Sequence, residues 1–365
     1  MPDIYDTILE EEMKKTQERP IFSKYSENAF IDAPGELLTS LFVNHESDVR
    51  TMLKSYLSVC NNLDVGERLA IIAPSRMGKT ALVMYFMQKT AHHSHDKQMK
   101  TQFMYFIPAK LASKELLEEK LTFPQHIEGK GIIVLDDFHE IYYETDAAIK
   151  NKALDILFNK FKKSLIITTW TPMGWQQAVA ENPNTQKIFD KIIYLEGLSS
   201  AHMEDMVYKR ISAMCESSRN PINEDAIKYA VQKSSGNPGL LLMTILEGIK
   251  HAQKNNSVAT KTDVESVLPT LGFGLEEKYY KLSDTYKYMI SNALLAKTTS
   301  DNETLQFITK LQRNTISEYM TELEKMGFVE KKKVKKKVLF RLKPALRFWL
   351  EKKKLEEAQI QKEMR

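Results

Sequence analysis

Short apolar runs alternate with stretches of helical periodicity along the middle of this chain, and that alternation limits the fold more than any other feature. The runs are LAIIAP (69–74), QFMYFIPA (102–109), GIIVLDDF (131–138), KSLIITTWT (163–171) and KIIYLEGL (191–198). Strands that are apolar almost throughout need cover on both faces, and the helical patterns from Lys79 to Lys89, at 111–121 and at 145–162 supply it. The expected fold class is α/β, a parallel sheet with helices on both faces. Another helix is expected from Val49 to Leu57, ahead of the first strand.

After Ser200 the strands stop. HMEDMVYKRISAM, NEDAIKYAVQKS, GLLLMTILEGIKHAQ and KTDVESVL are four helical stretches, which read as an all-α unit appended to the sheet. A third unit follows, so the 365 residues divide into an arm (1–35), a sheet domain (36–198), a helical domain (199–270), a C-terminal domain (276–353) and a charged tail (354–365). With 42% hydrophobic and 27% charged residues, a sizeable core is available. No run of about 18 apolar residues occurs and the opening MPDIYDTILEEEMKK is acidic, so neither a membrane span nor a signal peptide is expected. Only Cys60 and Cys215 occur, far apart and in no metal-ligand spacing, which fits a reduced, cytoplasmic setting.

The turn between the first strand and its helix reads APSRMGKT (73–80), close to the phosphate-cradling pattern G-x-x-x-x-G-K-[ST] but with Ala73 in place of the first glycine. Each remaining residue has a task. Gly78 lets the backbone turn its N–H groups toward a β-phosphate, Lys79 supplies charge toward the β- and γ-phosphates, and Thr80 offers a hydroxyl to Mg²⁺. An alanine at 73 asks only whether a Cβ is tolerated there, which holds if φ is negative. GIIVLDD ends in two carboxylates 58 residues beyond Gly78. Asp136 is placed to hold Mg²⁺ through water and Asp137 to orient an attacking water. LIITTWT ends in Thr168 and Thr169; if that strand neighbours 131–137, the Thr169 hydroxyl meets the γ-phosphate or the attacking water. The plainer readings are a turn after a buried strand for the aspartates and ordinary strand preference for the threonines.

At this point the chain resembles the AAA+/STAND division of P-loop ATPases, and most of all archaeal ATPases and archaeal origin-recognition initiators. FVNHESDVRTMLKSYL (42–57) is similar to the F-V-G-R-E-x-E-L box that surrounds adenine, with Asn44 and His45 replacing Gly-Arg. PSRMGKTAL matches an arginine-containing phosphate loop, DDFHEI resembles D-E-F-Q, and SSGNPGLL (234–241) resembles the G-x-P turn whose proline lies against the nucleotide. The resemblance implies an ATP/ADP site with Mg²⁺, held by Val43, Asn44, Pro74, Ser75, Arg76, Met77, Gly78, Lys79, Thr80, Ala81 and Pro238, with Thr80 and Asp136 at the metal. It also implies a helical lid over 199–270. Two departures matter. GNPGLLLMT lacks the arginine that AAA+ lids use to sense γ-phosphate, and between Trp170 and Leu198 the only cations are Lys187 and Lys191. Arginine fingers contribute about 10³–10⁵ in rate, so slow hydrolysis is expected, with nucleotide acting chiefly as a switch.

The C-terminal end is basic: 313–365 carry 16 Lys and Arg against 8 Asp and Glu, leaving −4 of the total +4 on the other 312 residues. Three amphipathic helix candidates, LSDTYKYMISNALLA (282–296), DNETLQFITKL (301–311) and RNTISEYMTELEKMGFVE (313–330), precede FVEKKKVKKKVLFRL, two extended runs joined by lysines, and then PALRFWLEKKK. This is the order of a winged helix-turn-helix, which places its third helix in the major groove of duplex DNA and its wing on the backbone. Lys331, Lys332, Lys333, Lys335, Lys336 and Lys337 are expected on phosphates, and Arg313, Asn314, Thr315 and Ser317 on phosphates or base edges. Helix capping is the plainer role for Asn314 and Thr315, and packing for Phe348 and Trp349.

Two functions follow. One is a DNA-binding ATPase whose nucleotide state gates DNA engagement or assembly, origin recognition being its most concrete form. RPIFSKYSENAFIDAP and KHAQKNNSVATKTDVESVL resemble the matching segments of archaeal initiators. The other is a STAND-type regulatory switch whose winged helix binds a protein partner, with no nucleic acid involved; assembly into a homo-oligomer is left open in either case. A metabolic kinase is disfavoured, since the inter-strand segments offer no small-substrate pocket.

Overall fold

The computed structural model describes residues 40–61, 65–96, 103–108, 131–142, 161–215, 220–334 and 337–363. The arm (1–35), the helix expected at 111–121 and most of that expected at 145–162 lie outside the described residues, as do Lys335 and Lys336. Two compact units form among the described residues, one from 40–44 and Gly197–Thr270, the other from within 45–196 and 271–363.

In the second unit, helix α1 (Glu46–Asn61) leads to strand β1 (Glu67–Ile72) and helix α2 (Lys79–Asp96). β2 (Phe103–Pro108), β3 (Gly131–Asp136), β4 (Leu165–Trp170), helix α3 (Pro172–Glu181) and β5 (Lys191–Tyr194) follow. All five strands are parallel, in the order β2-β3-β4-β1-β5. β3 and β4 are buried along their whole length, which is why their sequences do not alternate. Trp170, Trp175, Phe138 and Phe189 fill the layer beside the sheet, with ring centroids 5.0 Å apart for Phe138–Trp170 and 5.4 Å for Trp170–Trp175. Because β4 lies between β1 and β3, the C-terminal ends of these three strands converge, and crevices at such ends are where α/β sheets hold ligands.

The helical unit contains α4 (Ser200–Met214), α5 (Glu224–Ser234), α6 (Pro238–Gln253) and α7 (Lys261–Leu271). Their apolar stripes close on Met203, Ile227, Ala230, Ile245 and Val264. α5 ends through Ser235 and Gly236 in left-handed conformation (φ 49° and 81°), and Asn237 then caps α6, its side chain accepting from Leu240 N at 2.9 Å.

In the C-terminal part of the second unit a short helix at Glu276–Tyr280 precedes one that does not stay regular. The expected single helix over 282–296 is α-helical over Asp284–Tyr288 and widens to a π-turn over Met289–Leu294, where Leu295 N donates to Ile290 O at 3.1 Å. Helices α8 (Asn302–Thr309) and α9 (Arg313–Lys325), the hairpin β6 (Val329–Val334) and β7 (Lys337–Leu342), and α10 (Pro344–Glu363) complete it. Ile316, Met320 and Leu323 of α9 join Leu305, Phe340, Leu346 and Leu350 in one core.

Candidate nucleotide site and winged-helix surface

The backbone of the phosphate loop explains its unusual first residue. Positive φ falls at Arg76 (67°) and Gly78 (90°), not at Ala73. Ala73 instead continues β1: its N–H donates to Trp170 O at 3.1 Å and the residue is fully buried. A Cβ is therefore accommodated there, whereas Gly78 sits where L-residues are strained. α2 starts at Lys79, and Leu82 N donates to Gly78 O at 2.8 Å, so the loop runs straight into a helix N-terminus.

Lys79 is buried, with Nζ donating to Ala73 O at 2.9 Å and Pro74 O at 3.1 Å. Burial pushes its ammonium pKa down, against the opposing fields of Asp137, Glu351 and Asp136. Thr80 Oγ1 donates to Asp136 Oδ2 at 2.8 Å, and Thr169 Oγ1 donates to Asp136 Oδ1 at 2.7 Å. Burial and then the adjacent Asp137 charge push the Asp136 carboxyl up, opposed by those two hydrogen bonds. Asp137 takes a left-handed φ of 51°, and its N–H donates to Thr169 Oγ1 at 2.7 Å. In this structure Thr169 thus fixes the two aspartates relative to each other. Thr168 donates instead to Leu69 O, at 3.3 Å.

The Thr80 hydroxyl and the Asp136 carboxylate are hard oxygen donors. No cluster of three or more His, Cys, Asp or Glu able to hold a metal alone occurs among the described residues. Such a donor set fits Mg²⁺, which takes one or two protein oxygens and keeps waters and phosphate for the rest.

Of the other expected nucleotide contacts, Pro74 and Met77 are buried, Ser75, Gly78 and Ala81 are half-buried, and Arg76 and Thr80 are exposed. Val43 packs into the core of the helical unit, and Pro238 is the first residue of α6. Asn44 has φ 63° and His45 φ 64°. Asn enters this region more readily than most residues, which accounts for Asn44 where the resembling box carries glycine.

One pair of site residues had no signal in the sequence. Glu351 on α10 accepts from Ser75 N through Oε2 and from Ser75 Oγ through Oε1, the latter at 2.9 Å. Arg347, one turn earlier, donates from Nε to Glu351 Oε1 at 2.8 Å and to Ser75 Oγ at 3.0 Å. Its other nitrogens reach the carbonyls of Leu294, Leu295 and Lys297, at 3.3, 3.0 and 2.7 Å. The π-turn and its exit thus supply carbonyls to a guanidinium, which in turn holds a carboxylate on the phosphate loop.

On the winged surface, Lys331, Lys332 and Lys333 are exposed along β6. Lys337 is exposed but engaged, donating to Asp301 at 2.9 Å and Glu303 at 3.3 Å. Arg313 and Asn314 are exposed, and Thr315 and Ser317 half-buried, in the first turns of α9. The N-cap there is Gln312 with no side-chain capping bond.

The strand order, the glycine turn into α2 and the Thr80–Asp136–Thr169 network together define a P-loop α/β fold, a parallel sheet with helices on both faces, with a helical unit and a C-terminal winged helix. No protein-family model and no curated protein sequence matches the chain. Among solved structures it is similar to the Aeropyrum pernix ORC1 protein in complex with DNA, at TM-score 0.58 and 11% identity over 94% of this chain and 99% of that one. It is likewise similar to the Aeropyrum pernix ORC2 protein. For the ADPNP-ADP complexes the TM-score is 0.53 and identity 12%, over 93% of this chain and 100% of that one. For the ADP form the values are 0.51 and 12%, over 92% and 99%. The chain shares its fold with these Aeropyrum pernix proteins.

Proposed function

We propose that this chain is a nucleotide switch that binds ATP with Mg²⁺ in the phosphate loop and duplex DNA through its winged helix, in replication initiation or a related DNA transaction. The observation that carries the reading is the pairing of Thr80 with Asp136 beside Lys79 and Gly78, because metal-assisted phosphate binding needs those groups together. Lys79 and the α2 N-terminus would receive the phosphates, Thr80 and Asp136 the cation, and Asp137 a water. The cation's chemistry there is charge neutralisation at the phosphates. Thr169 holds Asp136 and the Asp137 backbone in place, a positioning role. Hydrolysis would be slow, since Arg347 is committed to carbonyls and Glu351, and neither GNPGLLLMT nor the stretch between Trp170 and Leu198 contains an arginine.

The DNA half of the reading is supported by the exposed Lys331–Lys333 row and the open first turn of α9. α9 also carries Glu318, Glu322 and Glu324, so contact would be confined to its N-terminal residues and the wing. The test is a salt series of duplex-DNA titrations with and without ATP. Binding that weakens steeply with salt is expected, and replacing Lys331, Lys332 and Lys333 by Gln should lower the slope of log K against log[salt] by roughly 3. No binding at low salt would instead favour a protein partner on the same surface.

A further inference from the structure

The phosphate loop of this structure already holds an anion, and the anion belongs to the chain itself. Glu351 is fully buried and takes both the backbone N–H and the hydroxyl of Ser75. Its partner Arg347 is buried as well and reaches the same hydroxyl. Farther along α10, Lys354 O accepts from Gln176 Nε2 of α3 at 2.9 Å, so the helix is fastened beside the loop at a second point. A carboxylate taken out of water is costly unless its hydrogen bonds are satisfied, and here Ser75 of the phosphate loop supplies two of them and Arg347 the third.

We propose that docked α10 is an autoinhibitory strut: the Glu351 carboxylate competes with nucleoside triphosphate for the phosphate loop, and triphosphate binding releases α10. The inference rests on the nucleotide reading of that loop. Its physical basis is twofold. The Ser75 donors are spent on Glu351, and a polyanion entering next to a buried carboxylate meets like charge where little water is present to screen it. Because Leu346 and Leu350 of α10 belong to the same core as Ile316 of α9 and Phe340 of the wing, loosening α10 changes the support of the winged surface. Coupling of this kind is reciprocal: whatever factor docking removes from triphosphate affinity, triphosphate removes from docking.

Mg²⁺-ADPNP, which does not turn over, is titrated into the full chain, into Glu351→Gln and into Lys79→Ala. Glu351→Gln keeps the shape and removes the charge, and is expected to bind ADPNP about tenfold tighter or more. In the wild type, hydrogen exchange over 344–363 is expected to quicken when ADPNP is added. An unchanged or weaker affinity in folded Glu351→Gln, or unchanged or slower exchange in the wild type, overturns the inference. If Glu351→Gln does not fold, the wild-type exchange decides alone. Should wild type and Glu351→Gln both fail to bind ADPNP, the nucleotide reading itself falls; binding by wild type that Lys79→Ala abolishes keeps it, whatever happens at α10.

Discussion

Ala73 occupies the place of a glycine yet behaves as a strand residue, sealed in the sheet by its bond to Trp170 O. Replacing it with glycine would restore the familiar spacing and gain nothing for the ligand. Ala73→Gly is expected to leave nucleotide affinity unchanged and to lower stability by about 0.5–1 kcal/mol, read from denaturant melts. On the proposed nucleotide reading, Lys79→Ala is expected to abolish ATP binding in calorimetry, because the charge assigned to the phosphates is lost. Tight binding retained by that variant would refute the site. Gly78, Lys79, Thr80 and Asp136 were legible in the sequence because their chemistry depends on short spacings and strand ends. Glu351 was not: its contact with Ser75 spans 276 residues, and only the folded chain brings them together.

At the scale of elements, the lysine cluster read from the sequence as one basic tip divides in the structure. Lys331–Lys333 face outward, while Lys337 pairs with Asp301 and Glu303 and helps hold the wing to α8. Asp301 also caps α8, accepting from Thr304 N and Oγ1, each at 2.9 Å. Burial raises the Asp301 pKa, but the Thr304 backbone and Lys337 bonds outweigh it and leave the carboxyl below its usual range. A depressed carboxylate pKa adds stability that is present above the unfolded value and lost as pH falls through the folded one. Acid melts should therefore show Asp301→Ala costing about 0.5–2 kcal/mol at neutral pH, with the difference from wild type shrinking below about pH 4. The α/β alternation, the four helices of 200–271 and the helix-helix-hairpin order were all legible as periodicities. The π-turn at Met289–Leu294 was not, because its sequence continues a helical pattern and the widening answers to Arg347, far along the chain.

Across the whole molecule, the segments close into units that a linear reading does not announce, since the described residues within 45–196 and 271–363 form one compact body. Composition and periodicity say which face of an element is apolar; they do not say which distant polar groups meet. Inside that body the Arg347–Glu351 pair sits where the C-terminal helix meets the phosphate loop, and its members differ in what else holds them. Arg347 keeps three carbonyl acceptors if Glu351 loses its charge, whereas Glu351 keeps its two hydrogen bonds from Ser75 and the more distant Lys79 charge if Arg347 is removed. Truncating one partner of a buried pair strands the other's charge, so Arg347→Ala should destabilise the chain by about 3–5 kcal/mol. Glu351→Gln should cost less, and Arg347→Met combined with Glu351→Gln should recover part of the Arg347→Ala loss by leaving no bare carboxylate. Urea melts of the three variants against wild type decide it. Equal losses for Arg347→Ala and Glu351→Gln would mean that the guanidinium's carbonyl contacts carry no weight, and that the strut is held by the ion pair alone.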